Sequence, residues 1–117
     1  VEGNKVGTEM LDEVEKAAHY FNEHYNETIV IEDYAREHGM TANWFTQSFK
    51  KVTKFTPLQY IVSLRIINAM NMIETTDYNV SQIAAAVGYD NSMYFSRIFK
   101  NRTGMSSTEY KNRDKNS

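Results

Sequence analysis

Asn43, Thr46, Gln47 and Lys50 follow one another at i, i+3, i+4 and i+7, the spacing that gathers side chains onto one face of a helix. An offset of 50 residues brings Met93, Ser96, Arg97 and Lys100 into the same register. The chemistry on offer is recognition. Asn and Gln amides pair with adenine edges through two hydrogen bonds, and an Arg guanidinium does the same with guanine. Asn43 and Gln47 are therefore candidate adenine readers and Arg97 a candidate guanine reader. Met93 suits a thymine methyl, while Thr46 and Ser96 suit bases or phosphates. Lys50 and Lys100 end the two stripes as candidate phosphate contacts. Thr41 and Asn91, where these helices start, are candidate phosphate contacts through free backbone N–H groups, although capping alone would account for both. One such stripe is ordinarily a solvated face. Its return in the same register after the same turn is what sets it apart.

The elements that carry the stripes are themselves duplicated. Ile31, Ala35 and Gly39 correspond to Val80, Ala84 and Gly88 at an offset of 49. Phe45, Phe49, Lys50, Thr53, Thr56 and Tyr60 correspond to Phe95, Phe99, Lys100, Thr103, Ser106 and Tyr110 at an offset of 50. The register changes just after the glycine, where a turn absorbs one residue. Each copy predicts a short helix (31–38 or 80–87) with a small residue for close approach, then a glycine that stops it. A second helix follows, starting at Thr41 or near Asn91, in a helix-turn-helix plan. Phe45, Phe49 and Val52 face inward in the first copy, and Phe95, Ile98 and Phe99 in the second. Trp44 and Tyr94 sit beside the polar stripes as partly buried core-edge aromatics.

Between the copies, Thr56-Pro57-Leu58-Gln59 supplies a hydroxyl cap, a proline at the first helical position and a glutamine that reaches back to the cap. A helix then runs to Thr75 without Gly or further Pro, on the order of 28 Å long. Its expected apolar stripe is Ile61, Leu64, Ile67/Asn68, Ala69, Met72 and Ile73. Upstream, Thr8 is the expected cap of a helix to about Tyr25. Glu9, Asp12 and Glu13 occupy its first turn, and Met10, Val14, Ala17 and Phe21 its buried side. Asn79 with Gln82, and Ser106 with Glu109, read as capping boxes.

With 117 residues, the chain is one domain or two small subdomains. Its net charge of −2 hides a division: residues 1–40 hold three basic and ten acidic side chains, and residues 41–117 ten basic and five acidic. A local basic surface matters more to phosphate binding than the total. Zero cysteines excludes a disulfide framework and thiolate zinc sites. His19 and His24 are five apart, on different helix faces, and with His38 they make no metal set. No phosphate-cradling loop or nucleophile–base spacing supports an enzyme. No apolar run is long enough for a membrane span and no secretory signal is recognisable, so a cytoplasmic setting is expected.

The stretch IAAAVGYDNSMYFSRIFKNRTGMSSTEY resembles the signature of the AraC/XylS family of bacterial transcription regulators: IAxxVGF, YFSRxFK, a glycine, then a terminal Tyr. SFKKVTKFTPLQYIVSLRIINAMNMI resembles its first module and linker helix, including Tyr60, Arg65 and Ala69. The likeness covers about residues 8–112 and implies an all-α DNA-binding domain of about seven helices: two helix-turn-helix subdomains joined by a long central helix. The expected boundaries are a linker remnant at 1–7, a first module at 8–55, a linker helix at 56–75, a second module at 79–112 and a polar tail at 113–117. Two recognition helices in successive major-groove segments of an operator are implied, with no cofactor. RNA polymerase would be a partner if the protein activates. A separate effector-binding or dimerisation domain is expected outside this chain. Three departures from the family pattern bear on stability. Lys54 replaces a glycine, so that turn must find another C-cap. Val30 replaces a Ser or Thr cap, which weakens its helix start by about 1 kcal/mol. Ser107 replaces a proline. Arg65 suits either a phosphate or a structural ion pair. The competing reading is a helical protein-interaction module that has lost DNA binding, favoured by the acidic first third.

Overall fold

The computed structural model describes residues 7–113, and these are all-helical. Among them run seven helices: α1 Thr8–His24, α2 Ile31–Glu37, α3 Ala42–Thr53, α4 Pro57–Thr75, α5 Val80–Ala86, α6 Ser92–Thr103 and α7 Ser107–Asn112. The expected linker remnant and polar tail lie, but for Gly7 and Arg113, outside the described residues. Two compact units form, one ending at Val62 and the other beginning at Ser63, so α4 contributes to both.

In the first unit α3 packs on α1 and α2. Val14, Ala17, Phe21, Tyr34, Ala35, Phe45, Phe49 and Ile61 are its buried apolar side chains. The rings interlock, with Phe21 to Phe49 at 5.7 Å, Phe45 to Phe49 at 5.8 Å and Phe49 to Tyr60 at 5.2 Å. Each such pair adds about 0.5–1.5 kcal/mol beyond its area burial. The Asn22 amide donates to the Tyr60 hydroxyl at 2.9 Å and fastens α1 to the start of α4. In the second unit α6 packs on α5 and α7 around Phe95, Phe99 and Tyr110. The duplicated contacts return there, with Phe95 to Phe99 at 5.8 Å and Phe99 to Tyr110 at 5.8 Å. The α7 helix is tied to α4 through Glu74, which accepts from the Tyr110 hydroxyl at 3.0 Å and pairs with Arg113 at 3.3 Å.

Both turns between the paired helices are built alike. Gly39 has φ +76° and Gly88 φ +105°, the left-handed region that a Cβ disfavours. Beyond each glycine the chain bonds back across the helix end: Met40 N–H to the Ala35 carbonyl and Tyr89 N–H to that of Ala84, both at 2.8 Å. The extra residue of the second copy falls in this turn, since α2 and α3 are separated by residues 38–41 and α5 and α6 by 87–91. Ala35 and Ala84 are fully enclosed beneath the turns, where a longer side chain would hold the helices apart. Thr53 and Thr103 form a second matched device. Each hydroxyl donates to the carbonyl four residues back at 2.8 Å, and each accepts the N–H two residues on.

Several local expectations need correction. Gly7, not Thr8, is the N-cap of α1, it makes no side-chain cap bond, and of the three expected acids only Glu9 lies in the first turn. Met10 is half-buried. Both short helices stop one residue earlier than expected, at Glu37 and Ala86. On α4 the buried residue is Ile66 at 5% exposure, whereas Ile67 is 60% exposed, and Leu64 and Met72 are only half-buried. The reason is that each unit draws its own set, Pro57 and Ile61 in the first and Ile66, Ala69 and Ile73 in the second, instead of one stripe running the length of the helix. Val52 and Ile98 are likewise half-buried, while Ser48, on the inner side of α3, is buried at 2% exposure. Lys54 finds no alternative cap. It adopts φ +75° itself, as Gly104 does at φ +84° in the second unit.

Candidate nucleic-acid interface

α3 presents its polar stripe because the opposite side is taken by Phe45 and Phe49, both fully buried. Asn43, Gln47 and Lys50 are exposed and Thr46 is half-buried. α6 is built on the same logic: Phe95 and Phe99 face the core, Met93, Arg97 and Lys100 are exposed, and Ser96 is half-buried. Met93 is 75% exposed, a large apolar side chain left in water with no core to serve. The Thr41 hydroxyl accepts the Trp44 N–H at 3.1 Å, and the Asn91 side chain accepts the Tyr94 N–H at 3.0 Å. Both are therefore N-caps, fixing where α3 and α6 start. Trp44 and Tyr94 are 37% and 51% exposed. Tyr94 meets Tyr89 edge-on at 5.8 Å.

Each unit has an open cleft beside its stripe. In the first, about 420 Å3 is bounded by Ile31 and Glu32 on α2, Asn43 and Thr46 on α3, and Thr56 and Leu58 at the start of α4. In the second, a wider hollow of about 730 Å3 is bounded by Ser96, Arg97, Ile98, Lys100 and Asn101 on α6, with Ser106. Thr46 with Thr56, and Ser96 with Ser106, are corresponding residues, so the two clefts share two walls and differ in charge. Sequence reasoning missed Glu32 and Leu58 as cleft residues, because neither belongs to a recurring position of the repeat.

Arg65 has a structural role within the second unit. Its guanidinium lies 4.7 Å above the Tyr89 ring, and one of its N–H groups donates to the Gly88 carbonyl at 3.4 Å. It braces the turn that aims α6. Tyr89 is itself buried, and its hydroxyl has no hydrogen-bond partner among the described residues. Within those residues no group of His, Cys, Asp or Glu is arranged to hold a metal ion, and no helix is long and apolar enough to cross a membrane.

A helix-turn-helix domain family matches residues 34–113. The chain is similar to the MmsAB operon regulatory protein of Pseudomonas aeruginosa, 33% identical over 94 residues that make up 80% of this chain and 31% of that protein. Among solved structures, it is similar to the DNA-binding domain of AdpA, a global transcriptional factor seen in complex with a target DNA. The TM-score is 0.78 at 26% identity, over 84% of this chain and 88% of that one. The C-terminal domain of AraT, a response regulator from Geobacillus stearothermophilus, shares the fold at TM-score 0.80 and 24% identity, over 84% of this chain and 82% of that one. The chain spans about a third of the length of the curated relatives it matches.

Proposed function

We propose that the chain, which belongs to the AraC-type helix-turn-helix family of DNA-binding transcription regulators, reads an operator with both recognition helices. In this reading α3 and α6 enter successive major-groove segments of double-stranded DNA. Asn43, Thr46 and Gln47 meet bases in one segment, and Met93, Ser96 and Arg97 in the other. Lys50 and Lys100, with the helix starts at Thr41 and Asn91, hold the phosphates on either side. The observation that carries this is the matched pair of exposed polar stripes, each set by two buried phenylalanines and each preceded by the same glycine turn. The chain would act in the cytoplasm as one part of a longer regulator. Effector binding or dimerisation would belong to the rest of that protein, and RNA polymerase would be a partner if it activates.

A salt titration with a duplex selected from random sequence tests the reading. Affinity should fall with a log–log slope of about −0.9 per phosphate neutralised. Gln47→Ala and Arg97→Ala should each weaken it. A binding partner found instead among proteins, held by apolar contact and indifferent to both substitutions, would replace this reading with that of an interaction module.

A further inference from the structure

Glu32 stands apart from the other charges around the first cleft. Of the two acids that open α2, Asp33 is tied to Arg36 at 2.6 Å. Glu32 is exposed, lines the cleft with Asn43 and Thr46, and has neither hydrogen bond nor ion pair among the described residues. Among the described residues no side chain pairs with its carboxylate, and the start of α2 is what favours its charge. The corresponding second position of α5 is Ser81, and the corresponding cleft is walled by Arg97 and Lys100. Whole-unit charges follow the same division. Residues 1–62 carry six basic and ten acidic side chains, net −4, and residues 63–117 seven basic and five acidic, net +2.

We propose that Glu32 is a specificity-determining residue that acts by repulsion, keeping the first unit off any duplex that does not offer its bases. The proposal rests on the DNA-reading function above. A phosphate backbone entering the first cleft meets a carboxylate that no side chain pairs with, whatever the sequence. Base hydrogen bonds to Asn43, Thr46 and Gln47 form only on the right sequence, so only there is the repulsion outweighed. The second unit's cleft is lined by no acid and is walled by Arg97 and Lys100, so it draws the duplex in by charge. On a duplex that matches only the second unit, the first stays undocked. The carboxylate thus turns weak engagement of the first unit into none.

The test uses a duplex that keeps the second unit's segment and scrambles the first unit's, beside the intact duplex. Wild type should protect only the kept segment of the scrambled duplex. Glu32→Gln, which keeps the size and polarity of an exposed side chain, should extend protection over the scrambled segment. It should also raise affinity for that duplex about threefold or more and steepen the salt slope by about 0.9 per added phosphate. The reciprocal Ser81→Glu, adding an acid where a helix start tolerates one, should lower affinity for every duplex. Two results would overturn the proposal while leaving the DNA reading intact. One is unchanged protection and affinity in Glu32→Gln beside normal wild-type binding. The other is a loss confined to duplexes with one particular base pair, which would make Glu32 a direct reader of cytosine. If wild type shows no salt-dependent binding even to the intact duplex, both readings fall together.

Discussion

Gln47 and Lys50 sit one helical turn apart on α3, yet their loss should look different. Gln47→Ala, like Arg97→Ala on α6, should cost about 1–3 kcal/mol on the selected duplex and much less on others. Thermal stability should move little, since both are exposed. Lys50→Ala should weaken all duplexes alike and flatten the salt slope by about one unit. Fluorescence anisotropy at several salt concentrations separates the two patterns. Tyr89 makes a prediction about stability alone. Its buried hydroxyl lacks a partner among the described residues, so Tyr89→Phe should stabilise the fold by about 1 kcal/mol or more in denaturant unfolding. The ring under Arg65 would be kept. At this scale the sequence showed which side chains face out, because helical spacing against paired phenylalanines decides that. It did not show the Arg65–Tyr89 stack or the isolation of Glu32. Both depend on which segments the fold brings together, and no periodicity encodes that.

The two units form the same elements with different capping, and the differences predict where each is weak. Asn79 and Gln82 close a reciprocal capping box at α5, while Val30 at the matching start of α2 makes no side-chain cap bond. Val30→Asn should therefore raise stability by about 1 kcal/mol. Lys54 holds φ +75° where Gly104 holds φ +84°. Lys54→Gly removes a left-handed penalty of roughly 1–2 kcal/mol and adds back part of it as chain entropy. A net gain of about 0.5–1 kcal/mol in chemical unfolding is expected. The start of α7 responds to pH. Hydrogen bonds from the Ser106 backbone and side chain hold the Glu109 carboxyl below its ordinary value of 4.5. A depressed acid contributes stability that is fully present above 4.5 and is lost as pH falls through its lower folded value. Acid melting curves should show this loss in wild type and lack it in Glu109→Gln. The capping boxes were legible because they are local patterns of four residues. The left-handed Lys54 was not, since sequence offers no sign that a lysine will accept the strain where its counterpart is glycine.

Over the whole molecule, the duplication was the most readable feature: a one-residue shift confined to a turn, with Phe45/Phe95, Phe49/Phe99 and Thr53/Thr103 in register beyond it. The composition of α4 was harder to read. One helix serving two cores has no single stripe, so the inward role of Ile66 was assigned to its neighbour Ile67. Charge follows the same division, with an acidic first unit and a basic second one. On the reading proposed above, both units read bases, and that asymmetry makes the first the more exacting of the two. The most direct measurement is a hydroxyl-radical footprint on the selected duplex, taken with wild type, Gln47→Ala and Arg97→Ala. Two protected patches about one helical turn apart on one face of the DNA are expected, with Gln47→Ala fading one and Arg97→Ala the other. A single patch, or patches indifferent to both substitutions, would contradict a reader with two recognition helices.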